Sequence, residues 1–166
     1  PLVAVGAAAL VAFTPMFLFI SGAITNDALV IALSSLGLWL LVRAMRCPPA
    51  LAGWGLFGVV MGLGALTKLS ALALLPLAGL AVLRVATVHG WRHLGRATVG
   101  IAVPLLAIAG WWYWRNLRLY GDLTALTPFL GVIGRRYPVP TLKQLWGERE
   151  GFALSYLGLF GWMNVS

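Results

Sequence analysis

The sequence predicts an all-α fold, a polytopic transmembrane helical bundle. Three observations predict it. The 166 residues are 61% hydrophobic and only 10% charged. Mean hydropathy is +0.93. The apolar residues gather in runs of about 15–20, the length that matches the hydrocarbon core of a bilayer. A soluble domain carries charge on roughly a quarter of its residues. In lipid every backbone N–H and C=O must be satisfied within its own segment, so long runs imply helices. A β-barrel needs short alternating segments, and the sequence has none.

The elements follow in order. Residues 3–20 form the first apolar run, and 21–26 a short polar break. The second run spans 28–42, with Asn26 or Asp27 placed as its N-cap. Arg43, Arg46 and the Pro48-Pro49 pair end it. The third run spans 51–66; Thr67-Lys68 interrupts, and the fourth spans 69–85. A basic stretch with His89, Arg92, His93 and Arg96 precedes the fifth run, 97–114. These are the five expected spans of one transmembrane domain covering 1–166. Residues 115–150 read as a segment on the outer face, where Pro128, Pro138 and Pro140 argue against one continuous helix. A partial apolar segment, 152–163, follows. The chain opens inside an apolar run without a charged leader, so it reads as an interior fragment of a longer protein.

Charge sets the expected orientation. Net charge is +8. The cations are scattered among apolar helices and form no nucleic-acid face. Topology and anionic headgroups explain them instead. Alternate loops fall into two sets. One holds Arg43, Arg46, Arg84, Arg92 and Arg96 and no acid. The other holds Lys68, Arg115, Arg118, Arg135, Arg136, Lys143 and Arg149 with all four acids, Asp27, Asp122, Glu148 and Glu150. The purely basic set should be cytoplasmic. The mixed set should face the periplasm or exterior of a multi-pass protein of the bacterial inner or plasma membrane.

Several features read as packing or anchoring. Gly58 and Gly62 form a small-xxx-small step that lets helices approach. Residues Trp111 to Trp114 form an aromatic cluster before Arg115, either an interfacial belt or a stacking platform for substrate. Cys47 is the one cysteine, which excludes an internal disulfide; it reads as a loop residue. His89 and His93 sit among arginines that repel a cation, and no metal motif is expected.

Chemistry is expected where charge meets the edge of the bilayer. Asp27, Lys68, Arg115-Asn116 and Tyr120-Gly121-Asp122 all fall on the predicted outer side. Lys and Arg suit a phosphate, and a carboxylate could bind a hydroxyl, hold a metal or act as general base. Each also has an ordinary reading: Asp27 as a helix cap, Lys68 as a snorkelling lysine, Arg115 as an anchor.

Four segments carry a resemblance. Residues 21–28 match an S-x-x-x-x-N-D-A pattern, and 62–70 match G-L-x-x-L-T-K-x-S. Residues 112–122 match W-Y-x-R-N-x-x-x-Y-G-D, and 155–162 match S-[FY]-x-G-x-F-G-W. In this order they resemble GT-C-type integral membrane glycosyltransferases, the protein O-mannosyltransferase and aminoarabinose-transferase relatives. The resemblance implies transfer of a sugar from a polyprenyl-phosphate carrier to an acceptor on the outer face, with inversion, and with a divalent metal in some members. It implies substrate-binding roles for Asn26, Asp27, Lys68, Arg115, Asn116, Tyr120 and Asp122, with Lys68 and Arg115 on the carrier phosphate. The family's principal catalytic carboxylate lies in a first outer loop that this sequence lacks. The catalytic residue is therefore unassigned, with Asp27 in a supporting position, and the fragment alone should be inactive. The alternatives are a transporter or flippase of a lipid-linked or anionic substrate, and a non-catalytic membrane protein.

Overall fold

The periodicity of the apolar runs resolves into helices. A computed structural model of the chain describes residues 2–134 and 137–157, and every regular element there is helical. The order is α1 (Leu2–Ala12), α2 (Pro15–Gly22), α3 (Asn26–Arg46), α4 (Leu51–Thr67), a 3₁₀ turn (Leu69–Ala73), α5 (Leu74–His89), α6 (Arg92–Leu105), a π-helical turn (Leu106–Gly110), α7 (Trp111–Tyr120), α8 (Leu126–Ile133), α9 (Leu142–Gly147) and α10 (Arg149–Leu157). Arg135, Arg136 and most of the 155–162 motif lie outside the described residues.

Three helical stretches are long and apolar enough to cross a bilayer: Asn26–Arg46, Leu69–His89 and Arg92–Tyr120. Leu2–Ala12 and Pro15–Gly22 would make a fourth as one span bent by 63°. The bend has a local cause. Pro15 has no N–H to continue α1, and it pushes Thr14 into the extended conformation found there (φ −64°, ψ 124°). α4 is apolar throughout but only 17 residues long. The expected 97–114 segment begins earlier and ends later in the structure, because Arg92 and Arg96 occupy the exposed face of a helix whose buried face is Ala97 and Gly100. α3 starts at Asn26, so the cap position falls on Thr25, one residue ahead of Asn26. Thr25 Oγ1 accepts the Asp27 N–H at 3.3 Å, and Asn26 and Asp27 form the first turn.

The chain divides into two compact units, residues 1–28 with 133–166, and residues 29–132. In the first, α10 packs on α2, and a Thr141–Gln144 capping box opens α9. No described residue of α1, α2 or α9 is buried.

The second unit holds the core. α4 is its centre: Trp54, Phe57, Met61 and Ala65 are each at most 5% exposed. Leu41 and Ala44 of α3, Ala81 and Val85 of α5, and Ala97 of α6 close around its first turns. α3 and α5 thus run against α4, and α6 runs with it. Glycines set the α4–α6 spacing. A Cβ on Gly58 would stand 2.5 Å from the Ile101 carbonyl oxygen and 3.0 Å from that of Gly100. The Gly100 oxygen is the one whose helical donor would come from position 104, which is proline. The missing bond and the missing side chain face each other, so the two backbones approach closely. The π turn after Pro104 then absorbs the change in register, as such turns do.

Candidate functional site

One end of the second unit is built by two corners. At the first, α4 stops because Lys68 is extended (φ −160°, ψ 135°), while its N–H still donates to Gly64 O at 2.9 Å. Thr67 turns its hydroxyl back onto Leu63 O at 2.8 Å. The chain reverses through the 3₁₀ turn into α5, leaving the Lys68 side chain exposed at the apex.

At the second corner, α7 ends after Tyr120 because Gly121 takes a left-handed conformation (φ +66°) that favours glycine. Asn116, only 3% exposed, donates from Nδ2 to Leu123 O at 3.4 Å and folds the loop back under the helix. Asp122 then organises the following turn. Its Oδ1 accepts the Thr124 N–H at 2.9 Å and the Thr124 hydroxyl at 2.8 Å. Its Oδ2 accepts the Thr127 N–H at 2.9 Å and the Thr127 hydroxyl at 3.0 Å. These bonds, first among them the Thr127 and Thr124 backbone donors, hold the Asp122 carboxyl well below the usual carboxylate range. Both oxygens are thus committed to the turn.

A long-range bond ties the corners together. The Tyr113 hydroxyl donates to Ala65 O at 3.0 Å, fastening α7 to the last turn of α4. Lys68, Arg115, Asn116, Tyr120 and Asp122 therefore share one end of the unit. The Arg115 guanidinium lies 5.2 Å from the centre of the Trp112 ring, and Trp111 meets Trp112 edge to face at 5.7 Å. Stacking on a ring face leaves guanidinium N–H edges available for a planar anion. Asn26 and Asp27 open α3 and belong to the first unit.

A family model described as "Predicted membrane protein (DUF2142)" matches residues 3–166. The chain belongs to the DUF2142 family. No curated protein and no solved structure matches it. For this DUF2142 chain, membership and the apolar helices agree that it is a membrane protein with transmembrane helices. Among the described residues, no group of three or more His, Cys, Asp or Glu side chains is placed to hold a metal ion. Sequence reasoning missed the Tyr113–Ala65 bond and the two threonines around Asp122. The second left a signal, the D-x-T-x-x-T spacing at 122–127, since short hydroxyl side chains after an aspartate favour such turns.

Proposed function

We propose that this chain is the core of a multi-pass membrane glycosyltransferase that takes a sugar from a polyprenyl-phosphate carrier on the outer face of the membrane. The observation that carries the reading is that Lys68 and Arg115 share one end of the second unit, where the Tyr113–Ala65 bond fastens α7 to the last turn of α4. The cations are chemically distinct. Lys68 is a point charge at a helix break, and Arg115 is a planar fork steadied on Trp112. Together they suit the phosphate of an amphiphile whose chain stays in lipid. Asn116 and Asp122 shape the loop beside Arg115. Enzymatic transfer, the carrier and the outward orientation all belong to the proposal, and the catalytic carboxylate is assigned to no residue of this chain.

The test is binding of a polyprenyl phosphate to the protein in nanodiscs. Each cation contributes a charge-assisted contact of about 1.5–3 kcal/mol, so Lys68→Ala and Arg115→Ala should each weaken binding by about ten- to a hundredfold. Both side chains are exposed, so folding should be unchanged. Unchanged affinity in both variants would reduce the two residues to interfacial anchors.

A second reading has one observation in its favour. The Arg92–Tyr120 span is interrupted by Pro104 and the π turn at Leu106–Gly110. Broken spans are a habit of transporters. A transporter would move the lipid-linked substrate across vesicles without consuming it, which separates the two readings.

A further inference from the structure

The opposite end of the second unit carries a different arrangement. α3 is 21 residues long, so Arg43 lies about 24 Å along the helix from Asp27, near the other face of a bilayer. A cavity of about 370 Å³ opens there between the end of α3 and the start of α4, with Leu40, Leu56, Trp54 and Phe57 as apolar walls and Arg43 and Cys47 beside them. A second hollow of about 370 Å³ adjoins it, sharing Arg43 and Cys47 and adding Trp39 and Arg46.

Arg43 and Arg46 are three residues apart, on one helix face. The Arg43 guanidinium is stacked 5.3 Å from the Trp39 ring centre. Among the described residues, no carboxylate pairs with either arginine. The same end carries Arg84 near the end of α5 and Arg92 and Arg96 at the start of α6, also without a paired acid among the described residues.

We propose that the two adjoining hollows bind an anionic glycerophospholipid, with Arg43 and Arg46 on the phosphate and an acyl chain along the wall formed by Leu40 and Leu56. Three features favour a lipid over a soluble anion. The walls are apolar, the site stands at headgroup depth, and the cations sit at its rim rather than around a closed polar pocket. The site is separate from Lys68 and Arg115 and does not depend on their role.

Cys47 gives a direct readout because it is exposed and lines both hollows. The full chain is placed in nanodiscs of phosphatidylglycerol or of phosphatidylcholine, and alkylation of Cys47 by an uncharged water-soluble maleimide is followed by peptide mass. Phosphatidylglycerol should slow the reaction. The paired variant Arg43→Gln with Arg46→Gln should lose this protection, each arginine being worth about fivefold in preference for the anionic lipid. The control pair, Arg92→Gln with Arg96→Gln, should keep it. All four side chains are exposed, so the core is untouched. Equal rates in the two lipids would overturn the site. So would protection that survives the Arg43/Arg46 pair or is lost equally in the Arg92/Arg96 pair, since a diffuse surface potential would then explain it. Equal protection by inorganic phosphate in phosphatidylcholine discs would overturn the lipid assignment in favour of a soluble anion.

Discussion

At one end of the second unit, five arginines stand without a paired carboxylate among the described residues, and two of them, Arg43 and Arg46, line the adjoining hollows at the end of α3. At the other, the backbone itself is fastened: Tyr113 to Ala65, Asn116 to Leu123, Asp122 to Thr124 and Thr127. The first end holds charge on exposed side chains, of which Arg43 is stacked on Trp39. The second holds Lys68 and Arg115 on corners fixed by those bonds. Preorganised groups suit a site that must position a substrate, because little reorganisation is needed when it arrives. Unpaired groups on one exposed face suit a ligand that is abundant and loosely held, such as a headgroup.

The largest effect should come from the contact that aligns both ends. Gly58 stands against the Gly100 and Ile101 carbonyls, and a side chain there has rigid backbone to displace. Gly58→Val should cost about 1–3 kcal/mol or more, and both ends should suffer together. The comparison needs a glycine that fills nothing. A Cβ on Gly79 of α5 would meet no atom within 4 Å. Gly79→Ala should therefore leave the thermal midpoint in detergent close to wild type while Gly58→Val lowers it sharply. If both variants behave alike, the α4–α6 approach does not set the spacing.

How much of this was legible in the sequence follows the same division. The runs, the Thr67-Lys68 corner and the grouping of cations at alternate ends come from hydropathy and charge, which act locally and can be read along a chain. The Gly58 contact was legible as a small-residue step, but its partner was not, since the proline that frees the Gly100 carbonyl lies 46 residues further on. The bend at Thr14 is hidden because hydropathy does not change across it, although Pro15 marks it. The start of α6 is hidden because a helix with a charged face and a small buried face averages to a polar segment. For the candidate site, the residue types at the corner were legible. The Tyr113 bond was not, because nothing local says which carbonyl, 48 residues away, will be left to accept it.

A smaller effect should come from that bond. Tyr113→Phe removes one hydroxyl from a half-buried position and leaves the ring. The expected cost is about 1 kcal/mol, the net worth of a single neutral hydrogen bond. The readout that sharpens the comparison is hydrogen exchange. Amides in the last turn of α4 should exchange faster in the variant, while those at the start of α4, beside Trp54, should not change. A uniform increase along α4 would mean that the bond stabilises the whole unit and does not fasten one end.

The smallest effect, and the one with a distinct pH signature, belongs to Asp122. Its hydrogen bonds favour the ionised form, so its folded-state value lies below the unfolded one. The sign then follows by linkage: the stabilisation is fully present above the unfolded carboxylate value, about pH 4, and is lost as pH falls towards the depressed folded value. Asp122→Ala should lower the thermal midpoint slightly by a constant amount through the neutral range, because the carboxylate is open to solvent screening in a part-exposed turn. The difference from wild type should shrink only below about pH 4, where the wild-type carboxylate begins to lose its advantage. Among the described residues no carboxylate pairs with the arginines of the other end, so Arg43→Gln should show no such convergence over the same interval. A difference between Asp122→Ala and wild type that closes already near neutrality would mean that the Thr124 and Thr127 bonds do not hold the ionised form in solution, and the contrast between a fastened end and an open one would lose its electrostatic half.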